Sequence, residues 1–310
     1  MADAVVLVAH GTVDQLDELP EFLTNIRRGH PPPPELLAEV RRRYEAIGGR
    51  SPLNAINREL AKRLEARLGL PVRTANRLFR PYPREVLEAL AKAGVSRIFV
   101  VPLAQHSAPL YGESVQKAAT DAGLDLVFRC APNWGRTREL TEAFAQSIVK
   151  TLGEVPSEAR RRTTLLLTAH SLPVSIIEAG DPYETELRGS ADDVVTRVRE
   201  LAPDGFADHE VAFQSQGMST GPGGRPMKWL GPDLRTTLDT LRDRGRTDVV
   251  IAPIGFLADH VEILYDLDIE ARGWAEARGI TLRRSSSLDT SDGLVDTLEA
   301  IVQRLRTEGE

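Results

Sequence analysis

Val5-Val6-Leu7-Val8-Ala9-His10-Gly11 and, 160 residues later, Leu165-Leu166-Leu167-Thr168-Ala169-His170-Ser171 carry the pattern that decides the fold. Each is a short aliphatic run that stops at a histidine beside a small residue. Runs of this length without a polar face suit strands of a parallel sheet covered on both sides. A second pair repeats the theme. Gly94-Val95-Ser96 leads into Ile98–Val101 and Pro102, and Gly245-Arg246-Thr247 leads into Val249–Ala252 and Pro253, 151 residues on. Further strand candidates are Val72–Ala75, Leu124–Phe128, Glu210–Phe213 and Thr281–Arg283. Amphipathic patterns at Glu35–Ala46, Leu53–Leu68, Arg84–Ala93, Thr137–Thr151, Ala191–Leu201 and Pro232–Arg242 separate the strands.

This alternation predicts an α/β protein of two similar, doubly wound parallel-sheet domains facing each other across a cleft. The expected domains are 1-153 and 154-310. The last helix, 291-307, has an apolar stripe that suits docking on the N-terminal domain. Ligands of such sheets bind beyond the carboxyl ends of the strands. Four of the six histidines fall there: His10, His106, His170 and His260.

The chain has 310 residues, a net charge of −6 and 41% apolar residues, an ordinary soluble composition with material for two cores. No basic block follows an aromatic platform, which argues against nucleic-acid binding. No apolar run approaches the ~18 residues of a membrane span. Asp3 and a strand-like run come at once, without a leader motif, so a cytoplasmic location is expected. The single cysteine, Cys130, rules out a four-cysteine iron–sulfur cluster and an intrachain disulfide. The fingerprints of dinucleotide, P-loop and nucleophile-elbow sites are all absent.

Chemistry-bearing residues gather in four places. In Asp259-His260-Val261-Glu262-Ile263-Leu264-Tyr265-Asp266-Leu267-Asp268-Ile269-Glu270, the carboxylates Glu262, Asp266 and Glu270 recur every four residues. Like charges at that spacing repel on a helix, unless a cation or water lies alongside, and a slightly unwound turn would align them better. Taken alone, the segment reads equally well as a solvated acidic face. His170 ends a strand, where it can bind metal or accept a proton, and Gly180-Asp181-Pro182-Tyr183 follows as a turn whose tyrosine can meet a flat ligand. Arg27, Arg28 and Arg43, with Ser51 entering a helix after Gly48-Gly49, offer donors to carboxylates. Finally, Phe213-Gln214-Ser215-Gln216-Gly217 ends a strand, and Trp229-Leu230-Gly231-Pro232-Asp233 follows a Gly- and Pro-rich loop.

In this order, Tyr44–Leu53, Ala169–Pro173, Gly180–Tyr183, Phe213–Gly217, Trp229–Pro232 and Asp259–Glu262 resemble the motifs of the ferrochelatases, which insert iron into a porphyrin. The matching stretches run from Leu7 to Glu270, almost the whole chain. The resemblance implies a metal-inserting lyase of haem biosynthesis with the two-domain, Rossmann-like chelatase fold. It implies that His170 and Glu262 are the inner catalytic and metal-binding pair, with Asp266 and Glu270 as outer metal ligands. Arg27, Arg28, Arg43 and Ser51 match the propionate side, and His106, Tyr183 and Trp229 match residues near the macrocycle. Whether His170 takes the metal or the pyrrole protons stays open.

The stretches Ile26–His30 and Tyr44–Leu53 resemble the short, soluble branch associated with coproporphyrin III, protoporphyrin IX being the alternative. That branch has a tyrosine in Ala-Tyr-Gly-Thr where this chain has Ala9-His10-Gly11-Thr12, so His10 is the candidate axial residue. No cofactor beyond substrate Fe²⁺ is expected, and no iron–sulfur cluster. The implied partners are porphyrin and Fe²⁺; contact with neighbouring haem-pathway enzymes or a membrane surface stays open. Two other readings are a chelatase for another tetrapyrrole such as sirohydrochlorin, and a non-catalytic haem or porphyrin carrier. The acidic series speaks against a carrier, which needs no cation path.

Overall fold

A strand buried on both faces has to be central in its sheet, and β1 (Ala2–Ala9) is buried from Ala4 onward. In the computed structural model, which describes residues 2–217 and 227–307, β1 pairs in parallel with β2 (Val72–Asn76) and β3 (Val95–Pro102). With β4 (Val127–Cys130) outside β3, the order is β2-β1-β3-β4. The second sheet has the same arrangement with β5 (Thr163–His170) in the place of β1. Its order is β6-β5-β7-β8, with β6 (Asp208–Gln214), β7 (Asp248–Ala252) and β8 (Thr281–Arg284), again all parallel. The fold is therefore α/β with two four-stranded parallel sheets. The Gly- and Pro-rich stretch 218–226, read above as a loop, lies outside the described residues.

One strand begins later than expected. Leu124 does not start β4, because its N–H closes the end of the preceding helix α5 (Ala108–Asp121) on the Ala119 carbonyl. Gly123 turns the chain with φ 65°, a left-handed conformation that glycine adopts without a Cβ penalty.

The chain divides into two compact units. The first comprises Met1–Trp134, Ala258–Val261 and Asp289–Glu310; the second comprises Gly135–Leu257 and Glu262–Leu288. The division falls before α6 (Arg138–Gly153), earlier than the expected 153/154 boundary, because α6 packs on α8 (Tyr183–Leu201). Arg197 pairs with Glu142 at 2.6 Å, Arg136 pairs with Asp193 at 2.8 Å, and Ser190 Oγ donates to the Gly135 carbonyl at 2.9 Å.

The last helix, α12 (Asp292–Thr307), belongs to the first unit and packs on α3 (Leu53–Leu68) and β3. Leu294, Val295, Leu298, Ile301, Val302 and Leu305 are buried along one face. Each such side chain contributes about 1.5–3 kcal/mol on burial. The ion pairs of Arg67 with Asp296 and Glu299, at 3.0 and 3.3 Å, are half-exposed and add at most about 1 kcal/mol each. The apolar stripe is what holds this helix.

Candidate active site

The carboxyl end of β5 and the helix that begins with α10 (Val261–Leu264) build the candidate site of the second unit. His170 is the last residue of β5, in register with Gln214 at the end of β6. Its Nδ1 faces the Ser171 carbonyl, which can only accept, so Nδ1 carries a hydrogen and, in the neutral ring, the lone pair is on Nε2. Nε2 lies 3.7 Å from Glu262 Oε2, and both side chains are about one-third exposed, at 35% and 34%. A lone pair and a carboxylate held this close are stabilised by whatever positive species lies between them, a proton or a cation. A first-row divalent ion at about 2.1 Å from each donor reaches both.

Gly255 makes this geometry reachable. A Cβ placed on it would lie 2.4 Å from Ala169 Cβ and 2.6 Å from Ala169 Cα. The bare backbone lets the turn after β7 close on β5, where the Gly255 N–H donates to the Thr168 carbonyl at 3.0 Å. Tyr183 braces the strand end from the other direction. It is buried at 7% exposure, its hydroxyl donates to the His170 carbonyl at 2.7 Å, and its N–H is capped by Asp181 Oδ1 at 2.9 Å.

The acidic series has a specific geometry. After α10 the chain enters a π-helix, Asp266–Ala271, in which the Glu270 N–H donates to the Tyr265 carbonyl at 3.0 Å. Four residues overshoot an α-helical turn of 3.6 and fall short of the wider π turn. Glu262 to Asp266 therefore drifts one way around the axis and Asp266 to Glu270 drifts back, which returns Glu270 toward the flank of Glu262. Asp266 is buried at 5%, and its carboxylate accepts from Ser215 Oγ at 2.5 Å. Asp268 is engaged by Arg284 at 2.8 Å, on another flank. Among the described residues no group of three or more His, Cys, Asp or Glu could hold an ion. His170, Glu262, Asp266 and Glu270 therefore do not form one coordination shell.

Trp229 is half-buried and bridges to Pro173, while its indole covers Gly217, where a Cβ would lie 2.8 Å from the ring. In the first unit, His10 is exposed at the end of β1, with Nδ1 3.1 Å from the Gly11 carbonyl and its ring edge-on to Phe22. Arg27 follows α1 (Leu19–Ile26) and donates to the Pro31 carbonyl at 3.3 Å; Arg28 is exposed with φ 56°. Arg43, on α2 (Pro34–Ala46), pairs with Glu39 at 2.9 Å. Ser51 is buried before α3, with Oγ 3.4 Å from the Leu53 N–H.

His106 is buried beyond β3, and burial pushes its pKa from 6.5 down to about 4. Between those values the unfolded chain binds more protons than the folded one, so stability is present above 6.5 and is lost as the pH falls toward 4. His106→Gln is expected to lose about 2 kcal/mol less than the wild type between pH 7 and pH 4.5. Urea unfolding at the two pH values measures this, and equal losses would contradict it.

Gln214, Ser215 and Gly255 are the contributors that reading the sequence missed. Ser215 has φ 58°, and Gln214 Nε2 donates to the Glu262 carbonyl at 3.1 Å. A buried amide at a strand end carries no spacing signal, and only the quoted Phe213–Gly217 stretch pointed near them.

Two four-stranded parallel sheets, with His170 at the end of β5 facing Glu262 on α10, make this a doubly wound α/β protein with its candidate site beyond a strand end. Solved structures agree on the fold: SirB from Bacillus subtilis with Fe3+ has a TM-score of 0.62 at 16% identity, covering 100% of this chain and 98% of that one. The cobalt complex of the sirohydrochlorin chelatase SirB from Bacillus subtilis subspecies spizizenii gives 0.58 at 14%, covering 100% and 98%.

The family model described as Ferrochelatase matches residues 2–305. A ferrochelatase of Acidobacterium capsulatum is 36% identical, over 97% of this chain and 93% of its own. The coproporphyrin III ferrochelatases of Geobacillus kaustophilus and Mycobacterium marinum are 33% and 35% identical, each over 99% of this chain and over 97% and 88% of their own. The chain belongs to the ferrochelatase family, and is a tetrapyrrole metal chelatase, a metal-inserting lyase. No helix among the described residues is long and apolar enough to cross a membrane.

Proposed function

We propose that this chain inserts Fe²⁺ into coproporphyrin III, with His170 and Glu262 handling metal and protons at the ring. The observation that carries the reading is the 3.7 Å approach of His170 Nε2 to Glu262 Oε2 at the end of a parallel strand. Insertion exchanges two pyrrole N–H protons for one divalent ion, so the site has to strip water from the cation and accept protons beside the macrocycle. Glu262 offers a charge that suits either task, and the His170 lone pair offers the second acceptor. Asp266 and Glu270 would relay the hydrated cation toward Glu262 through hard oxygen ligands. Binding at the ring's edge would supply the energy to bend it and expose nitrogen lone pairs.

Arg27, Arg28, Arg43 and Ser51 would take propionates, and the four propionates of coproporphyrin suit a basic pair such as Arg27-Arg28. His10, His106, Tyr183 and Trp229 would be the residues near the macrocycle. No resident cofactor enters the proposal, the location proposed is the cytoplasm, and the partners are the porphyrin and Fe²⁺.

Anaerobic Fe²⁺ insertion, with coproporphyrin III and protoporphyrin IX side by side at matched concentration, tests the substrate. A kcat/KM at least about tenfold higher for coproporphyrin is expected, the equivalent of one retained charge-assisted hydrogen bond. A preference for protoporphyrin would reject the assignment and make His10 the first residue to revisit.

A further inference from the structure

Gln214 is buried to 3% exposure directly beside His170, its partner in the β5–β6 register. Its amide Nε2 reaches across to the Glu262 carbonyl at 3.1 Å, tying the start of the acidic helix to the strand that flanks His170. Its other amide atom, Oε1, is buried with no hydrogen-bond partner among the described residues. A buried acceptor left so costs more than a typical single hydrogen bond returns. A methionine of the same length would fill the space without that cost. The amide is therefore kept for its bond to Glu262 at the expense of stability, which is the signature of a functional constraint.

From this we infer that Gln214 is a positioning residue for metal insertion: it fixes Glu262 opposite His170 and thereby sets the affinity for the incoming cation. The inference rests on the reading of His170 and Glu262 as the metal-handling pair. Its neighbour Ser215, the first residue after β6, secures Asp266, one step along the series, so two consecutive residues at the strand end register the carboxylates against the sheet. The bond from Gln214 goes to the main chain of Glu262, not to its carboxylate. It holds position without neutralising the charge that the cation needs. A residue that orients a metal ligand in this way typically changes metal affinity about 10–100-fold when it is removed.

The test compares wild type, Gln214→Met, Gln214→Asn and Glu262→Ala in the full-length chain, with Fe²⁺ titrated at saturating porphyrin. Gln214→Met is expected to raise the KM for Fe²⁺ at least about tenfold. Porphyrin affinity, read from Soret absorbance, should stay within about twofold, and the melting temperature should be no lower than that of the wild type, because the orphaned acceptor is gone. Gln214→Asn keeps an amide but withdraws it by one methylene. It should show the same KM change, and it serves if the methionine variant fails to fold. A Gln214→Met protein with wild-type KM overturns the positioning role, as does one whose melting temperature falls while KM and kcat are unchanged. If Glu262→Ala inserts iron at the wild-type rate, the reading of the metal-handling pair itself fails. If Glu262→Ala is inactive and both Gln214 variants are normal, only the inference about Gln214 fails.

Discussion

Replacing Glu262 by alanine is expected to lower iron insertion by about 10²–10⁴-fold while porphyrin binding is retained. The carboxylate lies 3.7 Å from His170 Nε2, and without it the imidazole faces the incoming cation with no compensating charge from this residue. Glu262 points its carboxylate at His170 while its carbonyl is held by Gln214, so truncation removes the functional end and leaves the main-chain anchor in place. Porphyrin affinity is read by Soret absorbance without metal, and insertion by the loss of the free-porphyrin bands. A variant that inserts iron at the wild-type rate would remove Glu262 from the mechanism. A variant that no longer binds porphyrin would assign it to the macrocycle instead. The same comparison separates an enzyme from a carrier, since only an enzyme has an insertion rate to lose.

The second large effect concerns one missing methyl group. Gly255→Ala puts a Cβ within 2.6 Å of both the Cα and Cβ of Ala169. Ala169 cannot retreat, because β5 is the second strand of its sheet, pairing with β6 on one side and β7 on the other. The turn after β7 must lift instead, breaking the Gly255 bond to Thr168 and disturbing the strand end that carries His170. Overpacking of this kind costs about 1–3 kcal/mol, and contact with the β5 backbone, which is less yielding than a side-chain end, puts this site at the upper end. Gly153→Ala is the control. It lies within α6 with nothing within 4 Å of the added Cβ, so it should be neutral or gain up to about 1 kcal/mol. Chemical unfolding of the two variants should move in opposite senses, with insertion activity falling only for Gly255→Ala. Similar stability for both would mean that the turn after β7 is not constrained by β5.

The strands were legible because each aliphatic run is bounded by glycine, proline or a polar turn, and all eight lie where such runs occur. Two helices of eight residues or more escaped that reading. α5 contains Pro109 and Gly112, which look like breakers, yet Pro109 sits in the first turn, where it is tolerated. Gly112 has ordinary helical backbone, and a Cβ there would make no more than van der Waals contact with Cys130 Cβ at 3.4 Å, so it does not break the helix. α1, at eight residues, is too short to show two full repeats of an apolar stripe. Within the site, neither His170 nor Glu262 points to the other in sequence. Strand adjacency brings them together, and only the family resemblance linked them beforehand. Tyr183 illustrates the opposite case: an aromatic residue after a turn suggests a surface for a flat ligand, but its hydroxyl is engaged on the His170 backbone.

The π-helix at Asp266–Ala271 gives this chain an unusual kind of memory. In an α-helix each residue advances the direction of its side chain by about 100°, and a π turn arises when one residue more than the α count is accommodated before the helix resumes. Where Glu270 points is thus recorded by the number of residues between Tyr265 and Ala271, and the identity of any one of them matters less. A chain one residue shorter there could close back into ordinary α-helical bonding, keep every carboxylate, and aim the last of them elsewhere. Length, more than composition, sets the direction of the carboxylate in this segment, and scanning substitutions one by one leaves it untouched.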